Sequence, residues 1–290
     1  MDFRKYEVFL RAVECGSLTS AGEELGYTQS GVSHMMKGLE EELGFRLLSR
    51  GKSGVELTRE GERIIPVIRE LSKWNEQLNQ ITAQIKGFEM GRIRIGSLAS
   101  ISFHWLPQIL IHFQKDFPNI EIDIMDGGED EVERWLNEKR VDLGFLSIRA
   151  NSRFDTVPLR KDRFMAVLPP DYPRGGRKSF PLTNFNNQSF IISAHGTDFD
   201  IHDMLAQYKI IPAVRFSSTD DHTIVAMVQS GLGVSILPEL MLEGHRDRVC
   251  ALPLKPGVSR TLGMAVPSLK DVSPATKRFL GYVVSVLQEQ

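Results

Sequence analysis

An unbroken heptad pattern of apolar residues constrains the fold of this chain more than any other feature. Alternating intervals of three and four residues connect Ile64, Val67, Leu71, Trp74, Leu78, Ile81, Ile85 and Phe88. The spacing predicts one helix from Thr58 to Phe88, about 45 Å long at a rise of ~1.5 Å per residue. Because the apolar seam is narrow, we expect it to pair with a second copy of the chain. A helix packed on its own domain is the alternative, and it fits so narrow a seam less well.

The sixty residues before this helix predict a winged helix-turn-helix. Apolar residues between positions 3 and 13 recur at helical spacing, and Gly16 ends that first helix. Ser17 and Thr28 suit the N-cap positions of a second and a third helix, with Gly26 in the short turn between them. Two short strands follow at residues 47–50 and 55–57, joined by the basic tip 51–54. A basic hairpin after a helix-turn-helix is typical of a wing that contacts DNA.

The third helix carries a polar face that suits contact with DNA. A Gln side chain both donates to and accepts from base edges, while Ser, His and Lys reach phosphates or bases. A plain solvated helix face is the alternative. Charge favours that alternative mildly, because residues 1–60 contain eight Lys or Arg and ten Asp or Glu. The predicted DNA contacts are Thr28, Gln29, Ser30, Ser33, His34, Lys37, Arg50 and Lys52.

The remaining two hundred residues alternate between predicted strands and helices. Strands are expected at residues 92–95, 120–124, 141–148, 164–168, 189–192, 213–216 and 234–238. Helices are expected at 107–117, 131–139, 201–208, 225–229 and 274–288. This order indicates βαβ units, a mostly parallel sheet and two α/β lobes in series. We expect a ligand-binding cleft between the lobes, with the last helix returning to the first lobe.

The loop after the first of these strands is the first candidate binding site. Ser97, Ser100 and Ser102 lie between that strand and a predicted helix, where hydroxyl and backbone N–H groups suit a carboxylate or another small anion. Simple N-capping is the alternative. Residues 195–197, His-Gly-Thr, follow a strand of the second lobe and are expected to face the same cleft.

The sequence shows no sign of catalysis or of a metal site. The acidic and histidine residues between positions 195 and 203 match no standard metal spacing, and aspartates near a helix start are ordinary caps. No GxSxG, P-loop or HExxH motif occurs, so we expect neither an enzyme nor a bound cofactor. The two cysteines, Cys15 and Cys250, are far apart and are expected to be inert thiols, with a redox role for Cys250 left open.

Several motifs resemble those of the LysR-type transcriptional regulators. The most specific are SLTSAGEEL at residues 17–25, TQSGVSH at 28–34 and LEEELG at 39–44. LTREG at 57–61 opens the long helix as in that family, and GLGVSILP at 231–238 is similar to its second regulatory lobe. Two departures concern the third helix, because the family often has Pro at the position of Ser30 and Arg at that of His34.

The resemblance implies a multidomain α+β regulator in which a C-terminal two-lobed α/β domain, similar to periplasmic binding proteins, senses a small molecule. The expected domains are a winged helix-turn-helix at 1–58 with its motif at 18–37, a linker helix at 59–90 and an effector-binding domain at 91–290. Lobe I would comprise 91–162 and 267–290, and lobe II 163–266. The expected effector-binding residues are Ala99, Ser100, Ile101, Ser102, Ser147, His195, Gly196, Thr197, Asp220 and Pro267.

The expected partners are an interrupted inverted repeat in promoter DNA and further copies of the chain, as a homodimer or homotetramer, with RNA polymerase left open. No apolar run is long enough to span a bilayer and no signal peptide is evident, so we expect the cytoplasm and no membrane partner. Two alternatives are a solute-binding protein, which the helix-turn-helix argues against, and a DNA-binding protein whose sensor domain has lost its ligand.

Overall fold

The computed structural model describes residues 2–51, 54–87, 89–194 and 198–288, which group into two units. The first unit contains the chain up to residue 88 together with Glu138–Arg140, and the second contains the rest. In the described residues, no helix combines the length and apolarity that a membrane span needs.

The first unit is a helix-turn-helix with a β-hairpin and one long helix. Its elements are α1 (Phe3–Cys15), α2 (Leu18–Leu25), α3 (Gln29–Leu43), β1 (Leu48–Gly51), β2 (Gly54–Leu57) and α4 (Arg59–Ile85). The predicted caps are confirmed, because Ser17, Thr28 and Thr58 each accept a hydrogen bond from the N–H three residues ahead. β1 and β2 pair antiparallel, with Leu48 opposite Leu57.

One apolar core joins all the helices of the first unit. Phe9 of α1, Val32 and Leu39 of α3 and Ile65 and Ile68 of α4 are buried in it. The two buried α4 residues of this core lie outside the heptad pattern, and the first heptad residue, Ile64, packs against its edge.

The turn between α2 and α3 depends on a close approach at Gly22. A Cβ atom there would lie 2.8 Å from the backbone oxygen of Tyr27 and 3.3 Å from the side chain of Val32. The Tyr27 N–H in turn donates to the Gly22 carbonyl at 2.8 Å. A side chain at this position would push α2 away from the helix that follows it.

The second unit is built on a mixed sheet. Its strand order is β4-β3-β5-β12-β6-β11-β7, with β10 also paired to β6, and β8 and β9 form a separate parallel pair. These strands are β3 (Gly91–Ser97), β4 (Ile120–Asp126), β5 (Leu143–Ser147), β6 (Asp155–Leu168), β7 (Phe180–Pro181), β8 (Ser189–Ser193), β9 (Ala213–Ser218), β10 (Ser235–Pro238), β11 (Cys250–Lys255) and β12 (Ser259–Val266).

In the described part of the second unit, six helices connect and cover these strands. They are α5 (Ala99–His104), α6 (Leu106–Asp116), α7 (Glu129–Asn137), α8 (Phe199–Gln207), α9 (Asp221–Gln229) and α10 (Pro274–Gln288). Short 3-10 helices occupy Leu182–Phe185 and Leu240–Leu242. As expected, α10 returns to the first lobe, where Phe279 is fully buried against Phe113 and Phe145.

Two strands, β6 and β12, cross between the two lobes and are called the hinge strands. β6 pairs with β12 along residues 155–163 and with β10 and β11 along residues 164–168. β12 pairs with β5 through residues 262–265. Separate apolar clusters lie on the two sides of these strands, which defines two lobes.

The expectation of a mostly parallel sheet is wrong for the second unit. β3 is parallel to β4 and β5, but β12 is antiparallel to β5 and β6, and β10 and β11 are antiparallel to β6. The crossing between the lobes produces this pattern, because β6 runs from lobe I to lobe II and its neighbour β12 returns from lobe II to lobe I. The expected loop at residues 96–102 is also partly helical, since α5 begins at Ala99.

We expect Gly22→Ala to lower the free energy of unfolding of the first unit by about 1–3 kcal/mol, because its Cβ meets backbone atoms that cannot move freely. Gly38→Ala in α3 is the matched control. A Cβ there meets only the flexible end of Lys5, and alanine favours a helix by about 1 kcal/mol over glycine. Chemical denaturation followed by circular dichroism measures both variants. Equal stability of the two would contradict the close packing of α2 on α3.

Candidate functional site

The exposed side of α3 presents the polar residues that the sequence analysis selected. Gln29, Ser30, His34 and Lys37 are exposed and Ser33 is half-buried. The opposite side of the helix carries Val32, Met36 and Leu39, which are buried in the core of the unit. The amide Nε2 of Gln29 donates to Ser33 Oγ at 3.2 Å, so this hydrogen bond holds the two polar side chains next to each other.

Hydrogen bonds fix the hairpin against α3. The Glu40 carboxylate accepts from the N–H groups of Leu47 and Leu48 at 2.7 and 3.1 Å. The Thr58 hydroxyl donates to the Arg46 carbonyl at 2.7 Å, and the Val55 N–H donates to the Gly16 carbonyl at 2.9 Å. The hairpin therefore cannot swing freely relative to the polar face of α3. Of the predicted wing contacts, Lys52 lies outside the described residues, and Arg50 lies in β1 with its side chain undescribed.

The heptad seam of α4 is largely exposed in the single chain. Val67, Trp74, Leu78, Ile81 and Ile85 are exposed, with 62% of Leu78 and 82% of Ile85 accessible. Ile64 and Leu71 are half-buried, and Phe88 lies outside the described residues. Apolar side chains in a continuous stripe on one helix face mark an interaction surface.

A cleft of about 580 Å³ lies between the two lobes of the second unit. Lobe I contributes Ala99 and Ser100 at the start of α5 and the residues around the start of α7. Lobe II contributes the residues next to α8 and α9. The lining is acidic, with the carboxylates of Asp126, Asp130, Glu131, Asp198, Asp220 and Asp221 against the guanidinium groups of Arg134 and Arg260.

Arg260 lies at the centre of this cleft and touches both lobes. It is opposite Asp162 on the paired hinge strands and contacts that carboxylate at 3.1 Å. Its Nη1 donates to Asp198 of lobe II at 3.2 Å, and its Nη2 donates to the Ser100 hydroxyl of lobe I at 3.5 Å. Burial alone would lower the pKa of Arg260, but Asp198 and Asp162 outweigh it and raise that pKa, so the guanidinium stays charged.

A second buried ion pair lies beside this cluster. Glu129 of α7 is only 3% exposed, and its Oε2 accepts from Arg149 at 2.8 Å. Its Oε1 is buried and has no hydrogen-bond partner among the described residues, and neither has Oδ2 of Asp200. Burial, followed by the charges of Asp200 and Asp198, raises the pKa of Glu129 from 4.5 to about 8. Burial likewise raises the pKa of Asp221 to about 6.

The structure brings only some of the predicted effector-binding residues to the cleft. Ala99, Ser100 and Asp220 line it. Ile101 is a correction, because its side chain is fully buried in the core of lobe I. Ser102, Ser147 and Pro267 are not part of the lining, and His195, Gly196 and Thr197 lie outside the described residues. The role of these residues in binding stays a prediction.

Sequence reasoning missed the charged residues that dominate the cleft. The sequence interpretation treats the aspartates between positions 195 and 203 as ordinary helix caps, and Asp198 does cap α8 through the Ile201 N–H at 3.2 Å. Arg260 and Glu129 carried no local motif at all. Within the described chain, no group of three or more histidine, cysteine or acidic residues is arranged to hold a metal ion.

Comparisons with known proteins cover both units. The family described as LysR substrate binding domain matches residues 86–288, and the bacterial regulatory helix-turn-helix protein, lysR family, matches residues 3–62. The HTH-type transcriptional regulator YvbU of Bacillus subtilis (strain 168) is 32% identical over 283 residues, which is 97% of each chain.

Two solved structures share the fold. A full-length variant of OxyR from Pseudomonas aeruginosa has a TM-score of 0.77 and 23% identity, covering 99% of this chain and 98% of that one. Full-length CbnR complexed with its target DNA has a TM-score of 0.67 and 17% identity, covering 98% of this chain and 99% of that one.

We expect Glu129→Gln to stabilise the protein at high pH. Between about pH 4.5 and 8 the unfolded chain loses the Glu129 proton while the folded protein keeps it, so the stability of the unsubstituted protein falls across this window. Gln mimics the protonated acid and removes that loss. The gain should be near zero at pH 4.5 and on the order of 1–4 kcal/mol above pH 8. Denaturation at a series of pH values measures it, with the neighbouring exposed Asp130→Asn as control. A gain that does not depend on pH would contradict the raised pKa.

Proposed function

The chain belongs to the LysR family of transcription regulators, and from this premise we propose how its parts bind DNA, pair and sense an effector. It is a DNA-binding regulator with a C-terminal effector-binding domain, and the homologous proteins are regulators rather than enzymes. The proposed limits are 1–58 for DNA binding, 59–90 for dimerisation and 91–290 for effector binding, with lobe I at 91–162 and 267–290 and lobe II at 163–266.

The proposed DNA-reading surface is the exposed side of α3. What supports it is the position of Gln29, Ser30 and His34 on the first turns of the second helix of a helix-turn-helix. In that motif, the N-terminal residues of this helix contact base edges in the major groove. The 3.2 Å bond between Gln29 and Ser33 holds the amide on the helix surface, and the hairpin is held beside it for phosphate contact.

We expect Gln29→Ala to weaken binding to the specific promoter site by about 1–3 kcal/mol and to reduce discrimination between sequences. The physical reason is the loss of a side chain that both donates to and accepts from one base edge. Fluorescence anisotropy with specific and scrambled duplexes at one salt concentration measures both effects. Gln84→Ala, an exposed glutamine on α4, is the control. If Gln29→Ala retains full sequence preference, another face of the unit reads the DNA.

The proposed dimer interface is the heptad seam of α4, in a homodimer or homotetramer. Trp74, Leu78 and Ile85 support it, because they are exposed on one side of α4. Ile65 and Ile68 of the same helix are instead buried in the core of the first unit. Two paired α4 helices would present two α3 helices to the two half-sites of an interrupted inverted repeat. Contact with RNA polymerase is outside this proposal.

We expect Leu71→Lys combined with Leu78→Lys to abolish pairing through α4, because four ammonium groups would be brought into one apolar interface. Sedimentation velocity should show a smaller assembly, and affinity for the full inverted repeat should fall towards that for a single half-site. Asn79→Lys places the same charge on an exposed polar position of the same helix and should leave the assembly unchanged. An unchanged assembly in the double variant would exclude the seam as the interface.

The proposed effector site is the cleft between the lobes. The observation that carries this proposal is that Arg260, on a hinge strand, contacts Ser100 of lobe I and Asp198 of lobe II at the floor of the cleft. A ligand that binds there changes the contacts of both lobes at once. Differential affinity for two lobe arrangements is what an effector needs in order to shift a regulator between states.

The proposal keeps the predicted carboxylate or other small anion, but only as one group of the effector at one end of the cleft. Ser100 is a group in the cleft that donates to an anion without moving, because its hydroxyl accepts from the Arg260 guanidinium and keeps its own proton to donate. We assign an anionic group of the effector to this end of the cleft. Most charged side chains in the rest of the lining are carboxylates, which repel an anion.

A further inference from the structure

Several carboxylates of the interlobe cleft lack an ion-pair partner among the described residues, although the nearby Arg260 and His222 act on two of them. Asp126, Asp130, Asp220 and Asp221 line the cleft and form no ion pair with any described residue. Asp221 accepts a hydrogen bond from the Ser193 hydroxyl, and Asp220 accepts from Thr223 and from a backbone N–H.

The two arginines of the cleft do not change this balance. Arg134 is 3.5 Å from Glu131, and Arg260 is shared between Asp162 and Asp198. Both arginines therefore already have acidic partners within the protein. Among the described residues that line the cleft, carboxylates therefore outnumber arginines, which favours a positively charged ligand.

A buried carboxylate oxygen next to the cleft is independent evidence for a missing donor. Oε1 of Glu129 is buried and lacks a hydrogen-bond partner in the described chain. The residues on either side of it, Gly128 and Asp130, both line the cleft, and so does Asp198, whose charge acts on Glu129. Buried polar atoms are nearly always paired, so this oxygen beside a cavity is a position where a bound molecule could supply a donor that the described residues do not.

We propose that the effector carries a protonated amine or a guanidinium, bound between Asp198 and Asp221 of the cleft, next to the buried carboxyl of Glu129. This inference rests on the proposed effector site and names the chemistry of its ligand. Such a group supplies several N–H donors and the positive charge that the carboxylates lack. A metal ion fits less well, because the described residues hold no metal-binding group.

Together with an anionic group at Ser100, this makes the effector a small zwitterion of the amino-acid type. The 580 Å³ of the cleft falls in the usual size range of small-molecule sites, so it accommodates a molecule with both groups. The cation would occupy the side of the cleft formed by α7 and α9, and the anion the side formed by α5.

Titration calorimetry on the full-length protein with three matched probes tests the charge of the ligand. Butylamine carries only the cation, butyrate only the anion, and 4-aminobutyrate both. We expect both amines to bind at least about tenfold more tightly than butyrate. At a pH above about 8, where both carboxyl groups are ionised, Asp221→Asn and Glu129→Gln should each weaken the amines about tenfold, since each substitution removes a charge but keeps an acceptor oxygen. Ser100→Ala should weaken 4-aminobutyrate and leave butylamine unchanged. Asp203→Asn, exposed on α8 outside the cleft, is the control.

The pH dependence gives a second readout that a purely structural role would not produce. Glu129 faces Asp200, Asp198, Arg149 and Arg260, and its pKa of about 8 means that it is protonated at neutral pH. A bound ammonium favours the ionised carboxylate, so binding expels that proton. The affinity for butylamine should therefore rise with pH up to about 8, by at most about tenfold per pH unit. Glu129→Gln should flatten this rise.

The possible results distinguish the charge of the effector from the location of its binding site. Butyrate binding as tightly as butylamine, or amine affinity that is indifferent to both Asp221→Asn and Glu129→Gln, overturns the cationic effector and leaves the cleft as the effector site. Binding of none of the three probes overturns both the effector site and its charge. Tighter binding of the amines, lost in the two variants and retained in Asp203→Asn, supports both.

Discussion

The ion cluster around Arg260 is the interaction on which the effector-binding domain depends. One guanidinium links Ser100 of lobe I, Asp162 of the hinge and Asp198 of lobe II, and all four side chains are buried. Removing one member of such a cluster leaves an uncompensated buried charge, which costs far more than an exposed pair contributes. The arrangement of the lobes is therefore tied to the charge state of the cleft floor. A ligand with its own charges acts on that balance directly.

Helix α4 plays a comparable role in the first unit because it has two apolar faces. Ile65 and Ile68 pack into the helix-turn-helix core, while most heptad residues from Val67 onward are exposed. Pairing through the heptad face would consequently hold the two DNA-binding units without a flexible joint between core and interface. The separation of the two α3 helices would then be set by helix geometry, which is what recognition of fixed half-sites requires.

The local features of the fold could be predicted from the sequence, and the long-range features could not. Ser17, Thr28 and Thr58 cap their helices through contacts only three residues long, so their role is visible in a short window. The seam of α4 is visible for the same reason, since its period is local. The antiparallel insertion of β12 beside β5 and β6 joins positions that are far apart in the sequence, such as Ser259 with Arg163 and Leu262 with Ser147, and no periodicity in β12 reports its neighbours. The same holds for Arg260, whose partners Ser100 and Asp162 lie 160 and 98 residues away.

In the interlobe cleft, the local chemistry of one loop and the total charge of the lining favour different ligands. Hydroxyl groups at the start of a helix favour an anion, and Ser100 does lie in the cleft as that reasoning expects. The sum of all lining charges favours a cation, because carboxylates from α7, α8 and α9 converge only after folding. A molecule with a carboxylate at Ser100 and an ammonium at Asp221 satisfies both. A pure anion of the same size would meet several uncompensated carboxylates at short range, where like charges repel strongly. Specificity is a difference of affinities, and the acidic lining contributes to it mainly by excluding such competitors.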